Sequence, residues 1–166
     1  MNEAIKVLKE RRSVRQYEAK PIPKEILEDI IDCARLAATA RNDQPWVFVV
    51  VTNEEGKKEL AKLATHGKFI AEAAACVAVF CEKESTYKVE DGSAATENIL
   101  LAAKAYGIGS CWVAGHGKPY AEDVRKLLNV PEKYELISLV ALGYTSQTPN
   151  PPKKSLSEVL KWEKYG

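Results

Sequence analysis

The chain has 166 residues, 46% hydrophobic and 28% charged, and its 24 basic and 23 acidic side chains leave a net charge of +1. That length and mix suit one globular domain over residues 1–166. The balanced charge excludes a global field drawing the chain to nucleic acid or to an anionic membrane, so any anion site must be a local cluster.

The cysteines Cys33, Cys76, Cys81 and Cys111 form no C-x-x-C pair, and the two histidines, His66 and His116, stand apart. No metal site is expected, and the thiols read as buried and reduced. The stretch through Gln16 is charged throughout and lacks the apolar core of a signal peptide. With no apolar run of membrane-spanning length, the expected location is the cytoplasm.

In chain order, Asn2–Glu10 reads as a short amphipathic helix, followed at once by the basic stretch Arg11–Arg15. Pro21-Ile22-Pro23 breaks the chain. From Lys24 to about Ala40, apolar residues recur at helical spacing. Trp46–Thr52 is a continuous β-branched run and is expected as a buried strand. Glu54–Ala64 follows as an amphipathic helix and Cys76–Cys81 as a second strand.

Ser93–Tyr106 is small or apolar on nearly every face, so this helix must be covered all round. A partner subunit is one source of that cover. Gly107 and Gly109 end it, Ser110–Ala114 is a third strand, Tyr120–Leu128 a helix, and Leu136–Leu142 a fourth strand. Thr148–Pro152 cannot be regular, and Ser155–Tyr165 is expected to be helical. Four strands interleaved with six helices allow a parallel α/β sheet or an α+β fold.

Three segments carry chemistry. Arg11, Arg12, Ser13 and Arg15 suit a phosphate dianion, because guanidinium forks pair in a bidentate manner; the same spacing also fits a solvated basic turn. Thr39–Trp46 is rich in hydrogen-bonding side chains that suit the edge of a polar heterocycle, or a plain helix-to-strand loop. Gly107–Gly117 holds four glycines, which let backbone amides approach a ligand closely. It does not have the glycine pattern of a Rossmann nucleotide site, nor is there a P-loop or a nucleophile elbow.

Taken together, RRSVRQY at Arg11–Tyr17, ARNDQPW at Ala40–Trp46, DGSAATENILLAA at Asp91–Ala103, GIGSCWVAG at Gly107–Gly115 and ALGY at Ala141–Tyr144 resemble the nitroreductase-like FMN flavoproteins. The resemblance spans nearly the whole length, in a short member. It implies an α+β fold with a central, mainly antiparallel four-stranded sheet flanked by helices, built as an intertwined homodimer with FMN at the interface.

By position, the resemblance puts Arg11, Arg12 and Ser13 on the phosphate and ribityl region and Arg15 on the N1–O2 edge of the flavin. Val113, Ala114 and Gly115 fall beside N5 and O4, and Thr39, Ala40 and Asn42 reach the flavin of the other subunit. Ala38 and Ala40 depart from the family's usual proline and serine. Lys153 and Lys154 match basic residues that reach the phosphate, and Trp162 and Tyr165 would anchor a C-terminal arm on the partner.

The implied activity is oxidoreductase: NADH or NADPH reduces the flavin, which then reduces a small nitroaromatic- or quinone-like acceptor in ping-pong fashion, with no catalytic side chain named. A flavin store or sensor without turnover, and relatives that dehalogenate or cleave flavin, stand as alternatives.

Overall fold

The two apolar runs Trp46–Val51 (β1) and Ala75–Glu82 (β2) lie side by side in the computed structural model, which describes residues 2–165. With Gly109–Ala114 (β3) and Tyr134–Gly143 (β4) they form one sheet in the order β1-β2-β4-β3, and every neighbouring pair is antiparallel. The choice left open by the element pattern is thereby settled as α+β.

The central strands are apolar on both faces because both faces are covered. On β2, Cys76, Ala78 and Phe80 join one core with Leu60, Ile70 and Val124. These come from the helix Glu54–Leu63 (α3), the turn Lys68–Glu72 and the helix Ala121–Leu127 (α5). The alternate residues Ala75, Val77 and Val79 join a second core with Leu27, Ile30, Ile99 and Ala103, from the helices Lys24–Arg35 (α2) and Lys88–Ala105 (α4). The pleat thus divides one strand between two cores.

A bulge interrupts the register: Val79 faces Ser138 but Phe80 faces Leu136, leaving Ile137 as the extra residue on β4. Ile137 packs in the α2–α4 core, and the neighbouring Ser138 bonds to Thr96 of α4 at 2.8 Å. The freed carbonyl of Ile137 accepts from both Gly115 and His116, at 3.1 and 3.0 Å. The bulge therefore fixes the loop that leaves β3.

Several elements differ from the sequence-based expectation. The second helix ends at Arg35 rather than near Ala40. There, Asn98 of α4 donates its side-chain amide to the Cys33 carbonyl at 2.9 Å, so a residue distant in sequence satisfies the last turn. Conversely, α4 starts at Lys88, five residues before Ser93. Gly92 sits inside it because a Cβ there would lie 2.8 Å from Ile137 Cγ1.

The run at Trp46 is an edge strand, and in a single chain only Val51 of β1 is buried. At the C-terminus the helix is only Leu156–Val159 (α6), with no buried residue; one turn without a packing partner does not propagate. The first helix, Glu3–Glu10 (α1), also buries nothing, and Asn2 caps it through its side chain. No described helix is long and apolar enough to cross a membrane.

Candidate functional site

Arg11–Tyr17 leaves α1 as an extended segment laid along the open edge of β3. Ser13 pairs with Ser110 in a parallel bridge, and the Val14 amide donates to the Ser110 carbonyl at 2.9 Å. The Tyr17 hydroxyl donates to the Val14 carbonyl at 2.7 Å, and Thr145 holds the Gln16 carbonyl at 2.9 Å. Burial raises the Tyr17 phenol well above its ordinary range, so it remains a donor.

Extension separates alternate side chains. Arg11, Ser13 and Arg15 share a side and converge on the thiol of Cys111. Burial pushes that thiol up, while Arg15, a hydrogen bond from Ser13, and Arg11 each oppose the rise. Arg12 turns the other way: its Nη1 donates to the carbonyls of Lys9 and Arg11 at 2.7 and 2.8 Å, and its Nη2 reaches Asn150 at 3.5 Å. It lines a second cleft of about 420 Å³, together with Lys9, Lys104, Thr148 and Asn150. Arg11 also borders this cleft and pairs with Glu97 at 3.5 Å.

Beside the Arg11–Ser13–Arg15 side lies a cleft of about 400 Å³, whose walls include Arg15, His66, Phe69, Trp112, Lys118 and Tyr120. Among the described residues no carboxylate lines it. The Arg15 guanidinium sits over the Phe69 ring, 5.9 Å from its centroid. Burial raises the Tyr120 phenol, which donates its proton to the Ala114 carbonyl.

The outer edge of β3 supplies the cleft's backbone groups. The Ser110 carbonyl points outward to Val14, and the Gly115 amide points inward to Ile137. Alternation between these fixed points turns the amides of Trp112 and Ala114 outward. Of Val113, Ala114 and Gly115, Ala114 is therefore the one whose N–H is free to meet a ligand at this edge. Val113 is buried in the core with Leu60 and Ile70, and Gly115 approaches Leu136 so closely that a Cβ would lie 2.6 Å from its Cγ.

The Thr39–Gln44 loop lies elsewhere. It enters β1, the strand at the opposite edge of the sheet from β3. Three strand intervals, on the order of 14 Å, separate those edges. Among the described residues no hydrogen bond or ion pair joins the loop to Arg11–Arg15. Lys153 and Lys154 are exposed and make no ion pair among the described residues. They follow Asn150 closely, which places them next to the cleft lined by Arg12. One chain thus brings together Arg11, Ser13, Arg15 and Ala114, and holds Thr39, Ala40 and Asn42 at the other edge.

Composition and spacing did not single out Phe69, Tyr120 or Lys118. No local pattern marks them, because the connection after α3 and the loop after β3 meet only in the folded chain.

A sequence profile of the nitroreductase family matches residues 8–89 and, overlapping, 66–144. A protein of Archaeoglobus fulgidus with the provisional name NADH dehydrogenase/NAD(P)H nitroreductase is 41% identical over 150 residues, covering 87% of this chain and 86% of its own. A crystal structure of a protein from Bacteroides thetaiotaomicron, under the same provisional name, superposes with a TM-score of 0.94 at 29% identity, covering 99% of each chain. An FMN-dependent nitroreductase from Clostridium difficile superposes with a TM-score of 0.89 at 28% identity, covering 97% of this chain and 99% of that one.

Proposed function

The chain belongs to the nitroreductase family, and from that premise we propose that it is an FMN-dependent oxidoreductase that takes electrons from NADH or NADPH and reduces a small acceptor. The observation that carries the proposal is the cleft with aromatic walls that Arg15 lines, which has no carboxylate among its described lining residues, with Ser13 and Arg11 on the same side of the extended segment as Arg15. Cations, a hydroxyl and aromatic rings match the phosphate, ribityl chain and flat heterocycle of FMN.

Arg11 and Ser13 hold the phosphate and ribityl end. Arg12, facing its own cleft, and Lys153 and Lys154 add positive charge from the far side. Arg15 would face the N1–O2 edge, where a fixed cation favours the charge gained on reduction. The Ala114 amide, flanked by Val113 and Gly115, serves the N5 side. FMN held there would supply the redox chemistry, the passage of two electrons from the nicotinamide to the acceptor.

The site is completed by a second copy of the chain, which brings its own Thr39, Ala40 and Asn42. Support for a homodimer comes from apolar side chains that one chain leaves in water. Trp162 is 78% and Leu156 72% exposed, while Ile5 and Leu8 of α1 are 44% and 53% exposed. Exposed apolar surface on this scale marks an interaction face. On α4, Ser93, Ala94, Glu97 and Leu101 remain half-buried, a stripe that a partner helix would cover. The proposed setting is the cytoplasm.

The visible absorption spectrum of freshly purified protein, with the released chromophore identified by chromatography, tests the cofactor. Flavin bands and about one FMN per chain are expected. A colourless protein that also takes up no added FMN would refute the proposal.

A further inference from the structure

Asp91 opens the motif Asp91–Ala103 and is only 4% exposed. It lies in the first turn of α4, and that turn is firmly seated: at the neighbouring Gly92 a Cβ would lie 2.8–3.0 Å from Ile137 and Cys81 atoms. Asp91 Oδ1 accepts the Ala40 amide at 3.2 Å, a contact across 51 residues. Its Oδ2 is buried with no donor, and no Lys or Arg pairs with it among the described residues. A buried carboxylate held by one neutral amide is a poor stabilising device, since an apolar side chain of similar size avoids the desolvation cost.

The segment on the other end of that bond is under strain. Arg41, Asn42 and Gln44 have φ of 54, 60 and 49°, in the left-handed region that side chains disfavour. Arg41 to Gln44 are all exposed, so no core packing fixes them. Their other hydrogen bonds stay within the loop: Asn42 N to Thr39 O at 3.2 Å, Asp43 N to Ala40 O at 3.1 Å, and Gln44 N to Thr39 Oγ1 at 3.3 Å. Among the described residues, the Asp91–Ala40 bond is the one that ties Thr39–Gln44 to the body of the protein. Strained backbone persists where its surroundings impose it, and such places cluster at ligand sites.

We propose that Asp91 is a positioning residue: its buried carboxylate holds the Ala40 amide and so fixes the left-handed turn that presents Asn42 to the flavin bound by the other subunit. The link to flavin rests on the proposed function; the latch itself does not. An isosteric amide at position 91 keeps the acceptor, whereas alanine removes it.

Hydrogen exchange of full-length protein without added flavin reads the latch, and FMN titration followed by visible circular dichroism reads its consequence. In Asp91→Ala, the 39–44 amides are expected to exchange about tenfold faster, with β2 and β4 unchanged, and FMN to dissociate about tenfold more readily, the scale of one lost hydrogen bond. The flavin dichroism should change shape, and Asp91→Asn should restore all three readouts.

Loop exchange that stays at the wild-type rate in Asp91→Ala would overturn the latch, as would sheet amides that quicken equally or an Asn variant that does not rescue. An alanine variant that does not fold would also overturn it, because the carboxylate would then support the core rather than the loop. Faster loop exchange with unchanged FMN affinity would overturn the link to the cofactor. A wild type that takes up no FMN refutes the flavin reading instead, while the exchange result still decides the latch.

Discussion

Ser13 and Ser110 are joined in a parallel bridge, so the basic segment is fastened to the edge of the sheet rather than free to swing. That bond sets the alternation of side chains along the segment. Arg11 and Arg15 share the side of Ser13, and Arg12 is opposite.

Arg11→Ala should therefore weaken FMN binding more than Arg12→Ala. A charge-assisted hydrogen bond is worth roughly 1.5–3 kcal/mol, or about 10- to 100-fold in affinity. Arg12→Ala should cost a smaller factor, because its guanidinium is already engaged by backbone carbonyls. Fluorescence titration of the apoprotein with FMN measures both. Equal losses would show that side-chain alternation along the segment does not govern the phosphate contacts.

Arg15→Ala should make the midpoint potential of bound FMN more negative, by on the order of 30 mV, equivalent to about 1.4 kcal/mol for a two-electron couple. Arg15→Lys should lie between the two. Spectroelectrochemical titration of FMN-loaded protein reads the shift, and an unchanged potential would remove Arg15 from the redox role.

The sheet is legible in the sequence because runs such as Trp46–Thr52 and Leu136–Leu142 are continuous and apolar, with β-branched residues among them. What escaped was decided by distant partners. Ala37 and Ala38 continue the helical spacing of α2, yet the helix stops where Asn98 takes the Cys33 carbonyl. Asp91-Gly92 has the appearance of a turn but lies inside α4, because Gly92 lets the helix close on Ile137. The basic cluster was visible as charge. Its division into two sides, and the outward Ala114 amide, depend on pairing with β3 and on the bulge at Ile137, which no local pattern encodes.

Cys76 sits in the core beneath α3 and α5 and Cys81 in the core beneath α2 and α4, and burial pushes each thiol from an ordinary value of 9.0 to about 12. Both states keep neutral thiols below about pH 9, so the thiols leave stability unchanged there. Between about pH 9 and about 12 the unfolded chain loses these protons while the folded chain keeps them, and stability falls as pH rises. Urea unfolding across that window should show the decline, with a shallower slope for Cys81→Ala. At pH 8 the native protein should leave both thiols unreactive toward a disulfide reagent; rapid labelling of either would contradict their burial.

Residues 155–165 leave Leu156, Val159, Leu160, Trp162 and Tyr165 exposed in one chain. Removing this segment should shift a micromolar dimer toward monomer in sedimentation equilibrium and lower FMN retention in parallel, because binding at an interface is linked to association. A full-length chain that sediments as a monomer at micromolar concentration would contradict the two-copy site.

Anaerobic mixing of the FMN-loaded protein with NADH or NADPH, followed at the flavin absorbance, tests whether this protein turns its flavin over. Rapid bleaching by at least one of the two nucleotides is expected, with recovery of the yellow colour when a quinone or nitroaromatic is added. A flavin that stays yellow with both nucleotides would contradict an oxidoreductase and identify a protein that binds FMN without turning it over.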